Sequence, residues 1–287
     1  MLELLKPVTW FPPMWAFACG VVSAGVSMEG RWWLFALGLA LTGPLSCAGS
    51  QAVNDWFDRD VDAINEPRRP IPSGRVPGIW GLVIAIVWSA ATIAVGSAFG
   101  RAGLIATCIA VALSWAYSAP PLRLKSDGWF GNAAVGISYE GLAWITGAVV
   151  MLGTWPDARI ITLALLYSIG AHGIMTLNDF KAIDGDRQLG VLSLPVQLGP
   201  ERAARLAGIV IVLPQVIAFL LLLAAWNRPL HAVSLLVLIV IQLLLLPTFQ
   251  RDPVKKALWY SGVGVPFSVL GMMICAHALR SLAGVPS

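Results

Sequence analysis

Eight of the chain's 15 carboxylates fall in two short segments. Asp55, Asp58, Asp60, Asp62 and Glu66 lie in NDWFDRDVDAINEPRRPIPSG, and Asp179, Asp184 and Asp186 lie in NDFKAIDGDR. If the first segment is helical, Asp55, Asp58 and Asp62 share one face at i, i+3 and i+7, with Asp60 roughly opposite. Three bare carboxylates on one face repel one another, and a divalent cation reverses that. Hard oxygen ligands at this density suit Mg²⁺, which takes one or two carboxylates and fills its shell with water and substrate phosphate oxygens. No His or Cys stands near enough in sequence to suggest zinc. The chemistry implied is the holding of a diphosphate through metal.

The second segment also opens on Asn-Asp, and Asp186 follows Asp179 by seven residues, as Asp62 follows Asp55. Ala182 stands where the first pattern has its middle carboxylate, and Asp184 takes that place if Gly185 breaks the helix. The two segments are 124 residues apart, close to half the chain. This reads as a weak internal duplication, with one acidic site per half facing the other. A third segment, WAYSAPPLRLKSDGWFGN, offers Tyr117, Arg123 and Lys125. With Arg68 and Arg69 these cations suit the remaining diphosphate oxygens, Arg as a fork and Lys as a point charge. Alternative roles are solvated helix caps for the acids and membrane orientation for the cations.

These segments must be positioned by helices in a bilayer. The chain of 287 residues is 57% hydrophobic and 12% charged, with a mean hydropathy of +0.77, too apolar for a soluble domain. Continuous apolar runs exclude the alternation of a β-barrel. Nine spans are predicted, near 12–28, 33–53, 79–98, 102–118, 131–152, 159–177, 204–224, 230–247 and 259–279. The expected fold is an all-α integral membrane protein whose nine transmembrane helices surround a central intramembrane cavity. The spans recur without a soluble insert, so residues 1–287 form one domain. The N-terminus lacks a cleavable signal pattern, and the first run is read as a retained span.

Fourteen of the 19 Lys and Arg residues lie at the N-terminus or in the linkers after even-numbered spans. The positive-inside rule puts those segments, and both acidic segments, on the cytoplasmic side and the C-terminus opposite. The basic balance thus has a membrane explanation and calls for no nucleic acid. The four cysteines lie in or beside apolar runs and read as small buried hydrophobes. His172, His231 and His277 have no base-like partner in sequence and read as structural. Glu140, an acid within a span, is a functional candidate by position, expected to border an acceptor site or to make a helix-packing hydrogen bond. Most of the 13 tryptophans read as interfacial anchors, with Trp56, Trp129 and Trp144 candidates to pack on a flat ligand. A secondary transporter also uses half-repeats and intramembrane acids, but near the bilayer midplane rather than at span ends beside arginines. A non-catalytic pigment-binding protein needs His ligands and has no use for the acidic motifs.

The three loops together resemble the UbiA superfamily of intramembrane aromatic prenyltransferases. Its first signature, Asn-Asp-x-x-Asp-x-x-x-Asp, matches Asn54, Asp55, Asp58 and Asp62; its second, looser acidic signature matches NDFKAIDGDR; its loop signature matches YSAPPLRLK. Within the family, DAINEPRRPIPSG and SYEGLAW resemble the branch that esterifies chlorophyllide and bacteriochlorophyllide. Arg68, Ala143 and Ala182 depart from its pattern. The resemblance implies a Mg²⁺-dependent transferase that moves a geranylgeranyl or phytyl group from its diphosphate to a propionate carboxylate of a tetrapyrrole acid. It implies that Asn54, Asp55, Asp58 and Asp62 hold one face of the metal diphosphate, and Asp179, Asp184 and Asp186, with Asn178, the other. Arg69, Tyr117, Arg123 and Lys125 are implied as the diphosphate clamp. Lipid, and other membrane proteins of pigment synthesis or photosynthesis, are the implied surroundings. The site residues report the diphosphate rather than the acceptor, so a quinone precursor or haem is the alternative acceptor.

Overall fold

The computed structural model describes residues 2–283, which are almost entirely helical, with no strand beyond an isolated bridge between Asp127 and Leu192. A short apolar helix, α1 (Phe11–Ser23), precedes eight helices long and apolar enough to cross a membrane. These are α2 (Trp32–Asn65), α3 (Trp80–Ser97), α4 (Gly100–Ser118), α5 (Gly128–Leu152), α6 (Ala158–Asp179), α7 (Pro200–Ala225), α8 (Pro229–Arg251) and α9 (Pro253–Leu282). All nine predicted runs are therefore helical. The first stops short of residue 28 because Gly25, with φ of +64°, turns the chain just past its end, a conformation glycine adopts without Cβ strain.

α2 is longer than predicted because the helix continues through the acidic segment. At 34 residues it is about 50 Å long, against a hydrocarbon core of about 30 Å, so its acidic last turns extend past what a bilayer requires. Pro44 lies inside it, within a wider π-helical stretch, Leu41–Cys47. Proline has no N–H and crowds the preceding turn; its own carbonyl accepts a 2.9 Å bond from Trp88 Nε1 on α3. A second π-helical stretch, Ile137–Leu142, interrupts α5 and carries Glu140.

The chain forms two compact units: residues 1–21, 26–124 and 142–156, and residues 22–25, 125–141 and 157–287. In the first, Leu4 of the short N-terminal helix Leu2–Leu5 is fully buried with Ala52, Val53 and Ala85, flanked by Phe57, Ile71, Ile84 and Trp115. The second half of α5 packs on α1 through glycines: a Cβ on Gly20 would overlap the Trp144 carbonyl, and one on Gly147 the Phe17 carbonyl. In lipid, where no hydrophobic force joins helices, such close backbone approach supplies the packing.

In the second unit α6 meets α7 the same way, Gly173 lying against the Ala207 carbonyl and Ile211. Gln215, Gln242 and Ser268, all buried, close a polar ring across α7, α8 and α9 at 2.9–3.1 Å. Phe180, immediately after α6, packs edge-on against Phe249, which stacks on Tyr260. This buried aromatic trio fixes the end of α6 against α8 and α9.

Gly20→Val should lower the unfolding temperature in detergent, at a cost on the order of 1–3 kcal/mol or more from overpacking. Gly262→Ala, where an added Cβ meets nothing within 4 Å, should leave it unchanged or slightly raised.

Candidate active site

The last turns of α2 present the acids as the spacing predicts. Asp55 is 1% exposed and Asp62 is buried, whereas Asp60 points outward and its side chain is 85% exposed beside Arg59. Each inward carboxylate meets a cation from a different segment of the first unit. Lys6 Nζ lies 2.6 Å from Asp55 Oδ1. Arg69 Nη1 lies 2.8 Å from Asp62 Oδ2 and 3.6 Å from Asp55 Oδ1, and its other donors grip Glu66 bidentately at 2.8 Å. Arg123 Nη2 lies 3.2 Å from Asp58 Oδ1. Asn54 donates to Ser118 Oγ at the end of α4, at 3.4 Å. Burial works against the charge of Arg69, but the bonds to Glu66 and the fields of Asp62 and Asp55 outweigh it and raise its pKa above the ordinary arginine value. A bidentate fork of this kind also suits phosphate oxygens.

The N-terminal helix latches this arrangement. Its Leu4 sits in the core, and Glu3 takes a bidentate bond from Arg75, at 2.5 and 2.9 Å. Arg75 also donates to the Arg68 carbonyl, tying the loop after α2 to the same segment. Arg68 itself contributes its backbone here.

In the second unit, Asp179 ends α6, where Asn132 of α5 donates to its Oδ2 at 3.1 Å and to Thr176 Oγ1 at 3.3 Å. The helix breaks after Asp179, before Gly185 rather than at it, and a short helix, Ile183–Leu189, carries the next acids. Asp179 and Asp186 are thus brought near by a turn, not by one continuous helical face, and lie within Coulombic reach of each other. Asp184 points outward, its side chain 93% exposed and 3.7 Å from Arg187. Asn178 is exposed, its amide against Met175 Sδ. Backbone bonds Gly128 N to Leu192 O and Leu192 N to Ser126 O, both 2.8 Å, hold the segment after the short helix to the start of α5. Tyr117, in the last turn of α4, and Lys125, in the turn Leu124–Ser126, are half-buried.

Glu140 lines a cavity of about 20 Å³ with Tyr167, Gln215, Ser268 and Met272, and its Oε2 is buried without a hydrogen-bond partner. Trp144 is fully buried against the α1 contact, and Cys275 faces Tyr167 at 3.5 Å, both packing roles.

Among the described residues no group of three or more His, Cys, Asp or Glu side chains is gathered closely enough to hold a metal ion. The acids of α2 stand a helical turn apart, each facing its own cation. Their chemistry nonetheless fits a hard cation. Asp55 Oδ2 is buried with no hydrogen-bond partner, and an all-oxygen donor set with room for phosphate is what Mg²⁺ takes. Sequence reasoning assigned Lys6 only to membrane orientation and passed over Asn132 and Ser118. A polar residue inside an apolar span, as Asn132 is, was the available signal.

The chain belongs to the UbiA prenyltransferase family, whose model matches residues 10–276. It is 52% identical over 286 residues to the bacteriochlorophyll synthase 33 kDa chain of Cereibacter sphaeroides, covering 100% of this chain and 94% of that one. It is 39% identical to the chloroplastic chlorophyll synthase of Oryza sativa subsp. japonica, over 96% of this chain and 76% of that one. The solved structure of a UbiA homolog from Archaeoglobus fulgidus, bound to GPP and Mg²⁺, shares the fold with a TM-score of 0.69 at 20% identity, covering 98% of this chain and 99% of that one.

Asn132→Ala removes a bond to a half-buried carboxylate. It should lower kcat/KM for the prenyl diphosphate about 10- to 100-fold, the usual effect of losing a group that orients a ligand. Asp184→Asn should fall within about threefold of wild type, an exposed surface change. Steady-state kinetics on the purified variants check both.

Proposed function

We propose that this chain transfers a geranylgeranyl or phytyl group from its diphosphate to the propionate carboxylate of bacteriochlorophyllide or chlorophyllide. The observation that carries this reading is the 52% identity to a bacteriochlorophyll synthase across the whole chain. Family membership removes the transporter alternative. Identity to the chlorophyll synthases and bacteriochlorophyll synthases favours a tetrapyrrole acceptor over a quinone precursor or haem.

In this reading Asp55, Asp58 and Asp62, with Asn54, and Asp179 and Asp186 would hold Mg²⁺ with the diphosphate. Asp184 and Asn178 sit at the margin of that set. The bound metal supplies neutralisation of the charge that grows on the leaving diphosphate. Arg69 and Arg123, already beside the acids, and Lys125 and Tyr117 would bind diphosphate oxygens. The allylic C–O bond breaks, the prenyl carbon bonds to a propionate oxygen, and diphosphate leaves with the bonding pair. The acceptor carboxylate is ionised near neutral pH, so it needs orientation and not a general base. Apolar helices keep water from the allylic cation character. The bias of Lys and Arg supports a cytoplasmic N-terminus and cytoplasmic acidic segments, with the C-terminus on the other side. Glu140 borders the acceptor in this reading.

Purified protein with Mg²⁺, geranylgeranyl diphosphate and either pigment acid should form the ester, and EDTA should abolish it. Alkylation of a hydroxybenzoate or naphthoate with neither pigment esterified would overturn the acceptor. Acid should oppose the metal. Burial pushes the Asp186 carboxyl above the ordinary aspartate value, so protons compete with metal for it at a higher pH than usual. A raised folded-state pKa contributes stability below the unfolded value and loses it as pH rises through the folded one, so metal binding and acid stability move in opposite senses. The Mg²⁺ concentration for half-maximal rate should fall as pH rises through that range, in a titration of rate against Mg²⁺ at several pH values.

A further inference from the structure

Lys6 is held in place by more bonds than a cation that only orients a span requires. Its backbone lies at φ of +43° and ψ of +67°, a left-handed conformation that is strained for a residue with a Cβ and persists only where its neighbours enforce it. Here they do. The Lys6 N–H donates to the Leu2 carbonyl at 3.1 Å, and the Lys6 carbonyl accepts from Thr9 N at 2.9 Å and Thr9 Oγ1 at 2.8 Å. Trp10 Nε1 donates to the Leu5 carbonyl at 2.8 Å, and Thr9 Oγ1 lies 3.4 Å from Cys47 Sγ on α2. Leu4 and Leu5, just before Lys6, are buried. The side chain that leaves this fixed point ends 2.6 Å from Asp55 Oδ1.

The backbone is pinned, but the ammonium is not. Among the described residues Asp55 is the acceptor that Nζ meets, and the Lys6 side chain is 24% exposed. Arg69, the other cation near Asp55, is tied to Asp62 and Glu66 as well. An ammonium is a compact charge on a flexible four-carbon stem with three donors, so two remain for another acceptor. Asp55 is also incompletely matched, because its Oδ2 is buried without a partner. A divalent ion taken up by Asp55 and an ammonium on the same carboxylate repel one another. Metal and Lys6 therefore compete for Asp55 until a polyanion is present to take the ammonium.

We propose that Lys6 is a displaceable counter-ion, which holds Asp55 while the site is empty and passes to a diphosphate oxygen when metal and diphosphate enter together. The inference rests on the prenyl-diphosphate reading and adds to it a further binding residue and an order: Lys6 keeps metal alone off Asp55. The N-terminal segment is then part of the site and not only a latch beside it.

The test uses the full-length protein in nanodiscs. Mn²⁺ binding is followed by electron paramagnetic resonance without diphosphate, and binding of a non-hydrolysable thio-analogue of geranylgeranyl diphosphate is measured at saturating Mg²⁺. Lys6→Met should move the two in opposite directions. Mn²⁺ alone should bind about threefold or more tighter, since the competing charge is gone. The analogue should bind about tenfold or more weaker, for the loss of one charge-assisted hydrogen bond. Lys6→Arg, which keeps the charge, should retain the wild-type pattern of weak metal binding alone and tight binding with the analogue. If Lys6→Met weakens both, or leaves either unchanged, the assignment is overturned while the prenyl-diphosphate reading stands. A second readout keeps the charge throughout. The chain has five lysines, whose ¹³C-methylated forms remain cationic, and Lys6→Arg identifies the Lys6 signal by its loss. In wild type that signal should shift with Mg²⁺ and the analogue together and stay in place with Mg²⁺ alone. A signal that neither moves, or that Mg²⁺ alone moves, overturns the assignment. If wild type binds no analogue at any Mg²⁺ concentration, the prenyl-diphosphate reading itself falls.

Discussion

A carboxylate that is almost wholly buried at the end of a membrane-spanning helix has to be neutralised, and the structure of the first unit is organised around that requirement. Asp55 is 1% exposed, one oxygen held by Lys6 at 2.6 Å with Arg69 at 3.6 Å, the other without a partner. Removing charge from water costs several kcal/mol per ion even after relaxation. The arrangement therefore needs cations fixed in place, and each is fixed by a separate device. Lys6 follows a helix whose Leu4 is locked in the core. Arg69 is held by its fork on Glu66. Arg123 lies in the loop after α4, where it reaches Asp58.

The second unit solves the same problem differently. Asp179 is satisfied by a neutral amide, Asn132, and is placed by the aromatic trio behind Phe180. Among the described residues no arginine fork matches that of Arg69 there, and the acids are split between the end of α6 and a short separate helix. The inward acids of the first segment thus face cations brought from other parts of the chain, while Asp179 takes a neutral amide and the exposed Asp184 of the second segment lies 3.7 Å from Arg187. The two segments are alike in sequence at their Asn-Asp starts and unlike in how their charges are held.

Much of this was legible in the sequence. The face shared by Asp55, Asp58 and Asp62 and the outward Asp60 followed from helical spacing, and Arg69 and Arg123, picked out by side-chain type, do lie beside those acids. The nine apolar helices followed from composition. What was not legible depended on contacts between segments distant in sequence. Lys6 meets Asp55 across 49 residues, and Asn132 meets Asp179 across 47. Periodicity within one segment carries no information about either. The break after Asp179 was not foreseen, because Gly185 is the obvious helix breaker in the string, whereas the turn falls at Phe180–Ala182, where Phe180 is buried against Phe249.

In the proposed function both acidic segments are needed to bind the metal diphosphate. Binding of Mn²⁺, followed by electron paramagnetic resonance with a non-hydrolysable thio-analogue of geranylgeranyl diphosphate, tests it directly. The account predicts tight Mn²⁺ binding that requires the analogue and is lost in both Asp55→Asn and Asp179→Asn. Undiminished, analogue-dependent Mn²⁺ binding in either variant would contradict it.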